Sequence, residues 1–195
     1  MTKSKWFLPV AIIGGLLVVV FMFVGWGSGI YDKAVGLQEE VKNQWGNVQT
    51  SYQRRADLIP NLVATVQGAA DNENKILREV TQARAGITQA TTPEEMEVMG
   101  KKINTAINLA FEAYPQIRST QNFADLQAQL EGTENRISVA RRNYNESAKN
   151  YNTFIRGFFK RFALSIFGGG EDFTRREMFE ASEGADKAPE VKFGS

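Results

Sequence analysis

Apolar positions along the chain follow two different patterns. From Trp6 to Trp26 (WFLPVAIIGGLLVVVFMFVGW) no residue is charged. A helix of that length rises about 30 Å, the thickness of the hydrocarbon core of a bilayer. Trp6 and Trp26 close its ends, where indole rings favour the membrane interface. Pro9 falls in the first turn, where a missing N–H does little harm. A cleaved signal peptide is the competing reading, with Lys3 and Lys5 as its basic start. Signal cores run about 7–15 residues and end at a small-x-small site. This run is longer, and its candidate sites are glycine combinations such as Gly27-x-Gly29. Residues 1–29 are therefore expected to remain as a membrane anchor, with Trp6, Phe7, Leu8, Val24 and Trp26 near its ends. Lys3 and Lys5 precede the span, while Lys33 and Lys42 come after it among Asp32, Glu39 and Glu40. The positive-inside rule then favours a cytoplasmic N-terminus and an exported remainder, by a margin of about one charge.

Gly27-Ser28-Gly29 is expected to break the chain between the span and the soluble part. Beyond it, apolar residues recur at alternating intervals of four and three. One series is Ala34, Leu37, Val41, Trp45, Val48, Tyr52. A second is Leu62, Val66, Ala69, Glu73, Ile76, Val80, Ala83, Ile87. A third is Met96, Met99, Ile103, Ala106, Ala110. The fourth is Phe123, Leu126, Leu130, Thr133, Ile137, Ala140, Tyr144, Tyr151, Ile155. This is the seam of helical bundles and coiled coils, and no stretch alternates as a strand does.

Helix signals punctuate the series. Asp57 is placed to cap a helix starting at Leu58, with Pro60 in its first turn. Thr92, Pro93 and Glu95 form a capping-box start. Pro115 stops the third helix, and Ser119 or Thr120 caps the fourth. The expected helices span about 30–54, 58–87, 93–113 and 119–156. Short connections favour antiparallel neighbours, so residues 30–157 are expected to form an elongated antiparallel four-helix bundle. If Pro60 only kinks a continuous helix, the first two merge into one rod and the domain becomes a three-helix coil. The protein is all-α on either reading.

Residues 158–170 have a different composition. Phe158, Phe159, Phe162, Ile166 and Phe167 stand with Lys160 and Arg161, and Arg156 just precedes them. Large apolar side chains mixed with cations suit an amphipathic segment at a lipid interface. They equally suit a plug under the end of the bundle, and both readings stand. Helix lengths return the fourth helix to the membrane-proximal end, which sustains the first. After Gly168-Gly169-Gly170 the chain is polar, and 171–195 is expected to be a loosely docked tail, with Val191 and Phe193 able to add a short extended piece.

Composition removes much chemistry. The chain has 195 residues, no cysteine and no histidine, and 23 Lys+Arg balance 22 Asp+Glu. Disulfides, thiol nucleophiles, zinc–thiolate sites and His-based triads are excluded. A di-iron bundle site needs Glu-x-x-His, which is absent. There is no phosphate-binding glycine loop, and no basic stripe for nucleic acid. Glu73 on the second seam, with Glu134 and Arg141 on or near the fourth, is expected to form a buried polar layer that fixes register; an all-oxygen Mg²⁺ or Ca²⁺ site is the alternative. Arg54 and Arg55 are expected to close a turn against Asp57. The triplets Asn143-Tyr144-Asn145 and Asn150-Tyr151-Asn152 lie seven apart, on one helix face. Their tyrosines are expected to fill the core while the asparagines hydrogen-bond locally; a polar recognition strip is the other reading.

The run Arg54-Arg55-Ala56-Asp57-Leu58-Ile59-Pro60-Asn61-Leu62-Val63 is long and unusual. It is followed by Glu112-Ala113-Tyr114-Pro115, Asn122-Phe123, Thr133-Glu134, Ala140-Arg141, Tyr144-Asn145, Tyr151-Asn152 and Pro189-Glu190-Val191-Lys192-Phe193. In that order, over about residues 30–193, the chain resembles the LemA family of bacterial envelope proteins. The resemblance implies a membrane segment followed by an antiparallel helical bundle, and no enzymatic activity or cofactor. It places the chain in the bacterial inner membrane as a single-pass protein. Some members carry a lipoprotein-type cysteine after the apolar run. Here that region reads Gly25-Trp26-Gly27-Ser28-Gly29, so the helix itself must be the anchor.

The expected function is a non-catalytic, membrane-anchored bundle that self-associates and organises or shapes the membrane. The lipid bilayer and further copies of the chain are its expected partners, with no cofactor, no metal and no nucleic acid. An adaptor or stress sensor that recruits another envelope protein is the alternative.

Overall fold

The computed structural model describes residues 6–65, 70–113, 121–168 and 173–180. Its helices are α1 (Phe7–Thr65), α2 (Ala70–Gln89), α3 (Pro93–Ala113), α4 (Gln121–Arg156) and α5 (Phe158–Phe167). There is no strand among the described residues. The chain divides into two compact units, Met1–Trp45 with Glu146–Arg176 and Gly46–Asn145 with Glu177–Ser195. Both α1 and α4 contribute to each.

The second unit is an antiparallel four-helix bundle. Gln49 Nε2 on α1 donates to the carbonyls of Ile87 and Ala90, at 3.4 and 3.2 Å, and Asp57 pairs with Arg84 at 3.1 Å. The α1 numbers rise as the α2 numbers fall, so these helices run in opposite directions. The turn from α2 to α3 carries the expected box. Glu95 N donates to Thr92 Oγ1 at 3.2 Å, and Thr92 N donates back to Glu95 Oε2 at 3.3 Å. Each bond satisfies a backbone donor that the helix start leaves free. Tyr52 packs directly on Gly100, where a Cβ would enter its ring. Tyr52 and Arg55 on α1 meet Arg141 and Glu134 on α4, which sets α4 antiparallel to α1.

The buried seam is the 4-3 series: Val48, Tyr52, Ala83, Ile87, Met96, Ile103, Ala106, Leu130, Ile137, Ala140 and Tyr144. Full burial of a large apolar side chain contributes about 1.5–3 kcal/mol, so this stripe holds the helices together. Intrinsic propensity alone does not.

Two expected breaks do not occur. α1 runs unbroken through Gly27-Ser28-Gly29. Gly27 is buried because the Phe167 ring lies against it, and a Cβ there would collide with that ring. Ser28 Oγ donates to the Gly25 carbonyl at 3.1 Å and stays within the helix. The second break, at Asp57, is also missing, and Pro60 sits inside α1. Proline there removes the bond to the Ala56 carbonyl and costs about 3 kcal/mol in a helix interior. Packing around it carries the helix across: Tyr52 and Ala56 are buried, Arg55 pairs with Glu134, and Asp57 pairs with Arg84. Asp57 is thus an ion-pair partner and not a cap. Although Pro60 lies inside a helix, α1 and α2 remain separate antiparallel helices, so the four-helix arrangement holds.

In the first unit Ala34 and Val41 of α1 and Ala148, Tyr151 and Ile155 of α4 are buried. Tyr151 Oη donates to Gln38 Oε1 at 3.3 Å. α4 ends at Arg156, and Gly157 takes an extended conformation (φ −59°, ψ 131°) that interrupts the helix. α5 then buries Ala163 and Leu164. Its Phe167 ring meets the Phe23 ring at 5.6 Å between centroids.

Pro115, Ser119, Thr120, Val191 and Phe193 lie outside the described residues. So do the side chains of Phe7, Leu8, Ile59, Asn61, Leu62 and Glu73.

Candidate functional site

The first unit carries an extended apolar exterior. Trp6, Val10, Leu16, Phe21, Val24 and Trp26 are all exposed, as are the other large apolar residues between Val10 and Trp26. α1 is the one helix among the described residues that is long and apolar enough to cross a membrane. α5 adds a second exposed set: Phe158 at 82%, Phe159 at 69%, Phe162 at 53% and Ile166 at 52%. Lys160 and Arg161 belong to the same helix, and the Lys160 ammonium lies 4.3 Å from the Phe154 ring centroid. A core plug buries its rings, whereas α5 buries only its small and inner residues and turns three phenylalanines outward. Phe167 is the exception. It reaches Phe23 and Gly27 at the end of the apolar run and ties α5 to it.

The second unit carries a polar layer that includes the expected Arg141 and Glu134, each with a partner the sequence did not name. Arg141 is its centre. Its Nη2 donates to Glu97 Oε1 at 2.6 Å and to the Glu180 carbonyl at 3.1 Å, it bonds the Tyr52 hydroxyl, and its guanidinium lies 4.7 Å from the Phe179 ring centroid. Burial pushes the Tyr52 phenol above its ordinary pKa, opposed by the positive charges of Arg141 and Arg55. Burial also lowers the Arg55 pKa, and Arg55 pairs with Glu134. Glu134 is exposed, not buried, because it flanks the seam residue Thr133. Glu97 and Arg55 were missed as members of the layer; both sit one position from seam or small residues, and only the helix crossings bring them to Arg141 and Glu134. At the turn Glu95 is fully exposed, yet hydrogen bonds from the Thr91 N–H and hydroxyl and the Thr92 N–H hold its carboxyl below the usual range. Among the described residues no three carboxylates are grouped to hold a metal ion.

The tail departs most from expectation. Phe173–Glu180 has no helix or strand of its own, yet it is held by side-chain hydrogen bonds and is not loosely docked. In the first unit Asn152 Nδ2 donates to the Arg176 carbonyl and Asn152 Oδ1 accepts from the Arg176 N–H, both at 2.8 Å. Phe173 packs edge-on to Tyr31 at 6.0 Å. In the second unit Asn145 makes the same two bonds to Phe179, again at 2.8 Å. Tyr144 Oη donates to the Glu177 carbonyl at 3.0 Å, and Phe179 is buried edge-on against the Tyr144 ring. Tyr144 and Tyr151 are core residues as expected, but Asn145 and Asn152 bind distant backbone, while Asn143 and Asn150 are exposed. The heptad spacing of the triplets was the visible signal; the partner it served was not.

Fold and site together define a helical-bundle protein with, among the described residues, one helix able to cross a membrane. The family model that matches residues 44–193 is that of the LemA family, and the chain belongs to that family. It is similar to Protein LemA of Metamycoplasma hominis, 25% identical over 172 residues that cover 86% of this chain and 76% of that protein. The Arg54–Val63 run lies within the matched region, so the family expected from those residues is the family found.

Proposed function

We propose that the chain is a non-catalytic, membrane-anchored bundle that self-associates and organises the bacterial membrane around it, with the bundle on the exported side. The observation that carries this reading is α5. Its outward Phe158, Phe159, Phe162 and Ile166 sit on a helix joined through Phe167 to the end of the apolar run. In water those faces are unfavourable; at a lipid interface they gain apolar transfer energy, and each nearby cation adds about 1 kcal/mol against anionic headgroups. A span plus a shallow wedge beside it perturbs one leaflet more than the other, and repeated copies add that effect. Lys160, Arg161 and Arg156 select anionic lipid.

Because the chain has no cysteine, a single introduced one reports without background. Spin-labelled Phe159→Cys, in full-length protein reconstituted in anionic nanodiscs, is expected to show high oxygen and low nickel-chelate accessibility. Water-like accessibility at that position would remove the lipid role of α5. Mass measurement of the detergent-solubilised protein tests self-association: a homo-oligomer is expected, and a monomer would favour the adaptor reading instead.

A further inference from the structure

On the second unit's stretch of α4, the side chains Arg141, Tyr144 and Asn145 read the main chain of a peptide. Asn145 exchanges both of its hydrogen bonds with one residue, as a neighbouring β-strand would. Tyr144 and Arg141 each donate to a carbonyl, of Glu177 and of Glu180. The side chain they select is Phe179, which is 5% exposed, edge-on to the Tyr144 ring at 5.6 Å and beneath the Arg141 guanidinium. These contacts define the ligand class: an extended peptide with a free N–H and carbonyl on an aromatic residue. The first unit repeats the device with Asn152 and Arg176.

The seated segment has no helix or strand of its own. Its order comes from the side chains that hold it, so leaving them breaks no internal structure. An identical segment from another molecule satisfies the same donors and acceptors, which is the condition for exchange between protomers. From Phe167 to Phe173 an extended chain reaches about 20 Å, beyond the 8–10 Å that separates packed helix axes. Copies held by anchors in one membrane meet at raised effective concentration.

We infer that Phe173–Glu180 is a transferable strap, which in the assembled protein docks on Arg141, Tyr144 and Asn145 of a second copy. The inference rests on the self-association proposed above and names its contact. The occupant is the second copy's strap because that peptide matches the site in every bond described.

The test uses two full-length variants with different tags. One carries Asn145→Leu and Asn152→Leu, so it keeps a strap and loses the grip. The other carries Arg176→Pro and Phe179→Pro, so it keeps the grip and loses the two gripped N–H groups. Neither docks its own strap, but the intact strap of the first fits the intact grip of the second. Co-expressed in one membrane and purified through one tag, the mixed pair is expected to co-purify near wild-type yield, at least tenfold above a pair of grip-less copies. If wild-type copies co-purify while the mixed pair does not exceed the grip-less pair, self-association stands on another contact and exchange is overturned. If wild-type copies do not co-purify either, both readings fall. Circular dichroism of each variant checks that helix content is retained. A measurement independent of these variants places photoreactive benzoyl-phenylalanine at Met178, which is exposed, in otherwise wild-type chain within its native membrane. Adducts of two-chain mass joined between position 178 and α4 are expected; adducts confined to one chain overturn the proposal.

Discussion

The two units meet their solvents in opposite ways. In the second, large apolar side chains turn inward, and Val98, Val139 and Met178 are the exposed ones among the described residues. In the first, the run from Val10 to Trp26 and four large residues of α5 turn outward. Both are built from helices, so secondary structure does not separate them. What separates them is where the apolar residues sit around the helix. A narrow stripe at intervals of four and three needs protein partners along one face; an all-round apolar surface suits a membrane span or the core of a large protein. The same side chain therefore carries opposite energetic meaning in the two units.

The comparison is easiest to break with core truncations. Ile103→Ala and Ile137→Ala each remove a buried side chain of the second unit and are expected to cost about 2–5 kcal/mol. Leu16→Ala and Val18→Ala remove side chains of similar size from the span. They are expected to leave the thermal unfolding of the bundle in detergent unchanged. Equal losses in both places would mean that the span packs on protein.

A smaller effect sharpens the contrast between a held tail and a free one. Asn145→Leu removes both bonds to Phe179 and is expected to cost about 1–3 kcal/mol. Native-state hydrogen exchange at the Phe179 amide should accelerate accordingly, while amides in the interior of α3 keep their rates. Conversely, changing Phe158, Phe159 and Phe162 together to Ser is expected to leave bundle unfolding within about 0.5 kcal/mol of wild type. A large loss of stability or helix content would return α5 to the role of a plug.

The two titrations give the smallest signals. The Glu95 carboxyl is held low in the folded state, so its contribution is present above the ordinary carboxylate pKa and lost as pH falls through the depressed folded value. The difference in urea midpoint between wild type and Glu95→Gln should therefore be seen near neutrality and close in acid. Tyr52 behaves with the opposite sign. Its folded pKa is raised, so its contribution is complete below pH 10 and is lost as pH rises beyond it. In an alkaline absorbance titration the Tyr52 phenol should ionise late, and Tyr52→Phe should remove that late component.

Much of this fold was legible because bundles write themselves into spacing. Val41, Val48, Tyr52, Met96, Ile103, Leu130, Ile137, Ala140 and Tyr151 were all picked by a four-and-three rule and all are buried. The Thr92–Glu95 box was legible because its two bonds span three residues. The misplaced breaks share one cause: glycine and proline were read by local propensity, and long-range packing prevailed. Phe167 fills the space that Gly27 leaves, and ion pairs to α2 and α4 support the helix before Pro60. For the candidate site, composition marked Phe158–Phe167 as either an interfacial segment or a plug without choosing between them, and the grip on the tail was not legible at all. Asn145 and Phe179 lie 34 residues apart, and nothing in an Asn-Tyr-Asn triplet states what the amide will bind. Arg141 was noticed as a charge near a seam, while its four partners come from two other helices and the tail.

The unbroken course of α1 through Gly27, Ser28 and Gly29 has a mechanical meaning. Three small residues at a water boundary would make a swivel if they left the helix; inside it, they transmit rotation. Phe23, Gly27, Ala34 and Val41 succeed one another at intervals of four, seven and seven, so they lie along one stripe of the helix. With no swivel between them, any turn of the helix at Phe23 is carried unchanged to the stripe that holds Ala34 and Val41 in the first unit.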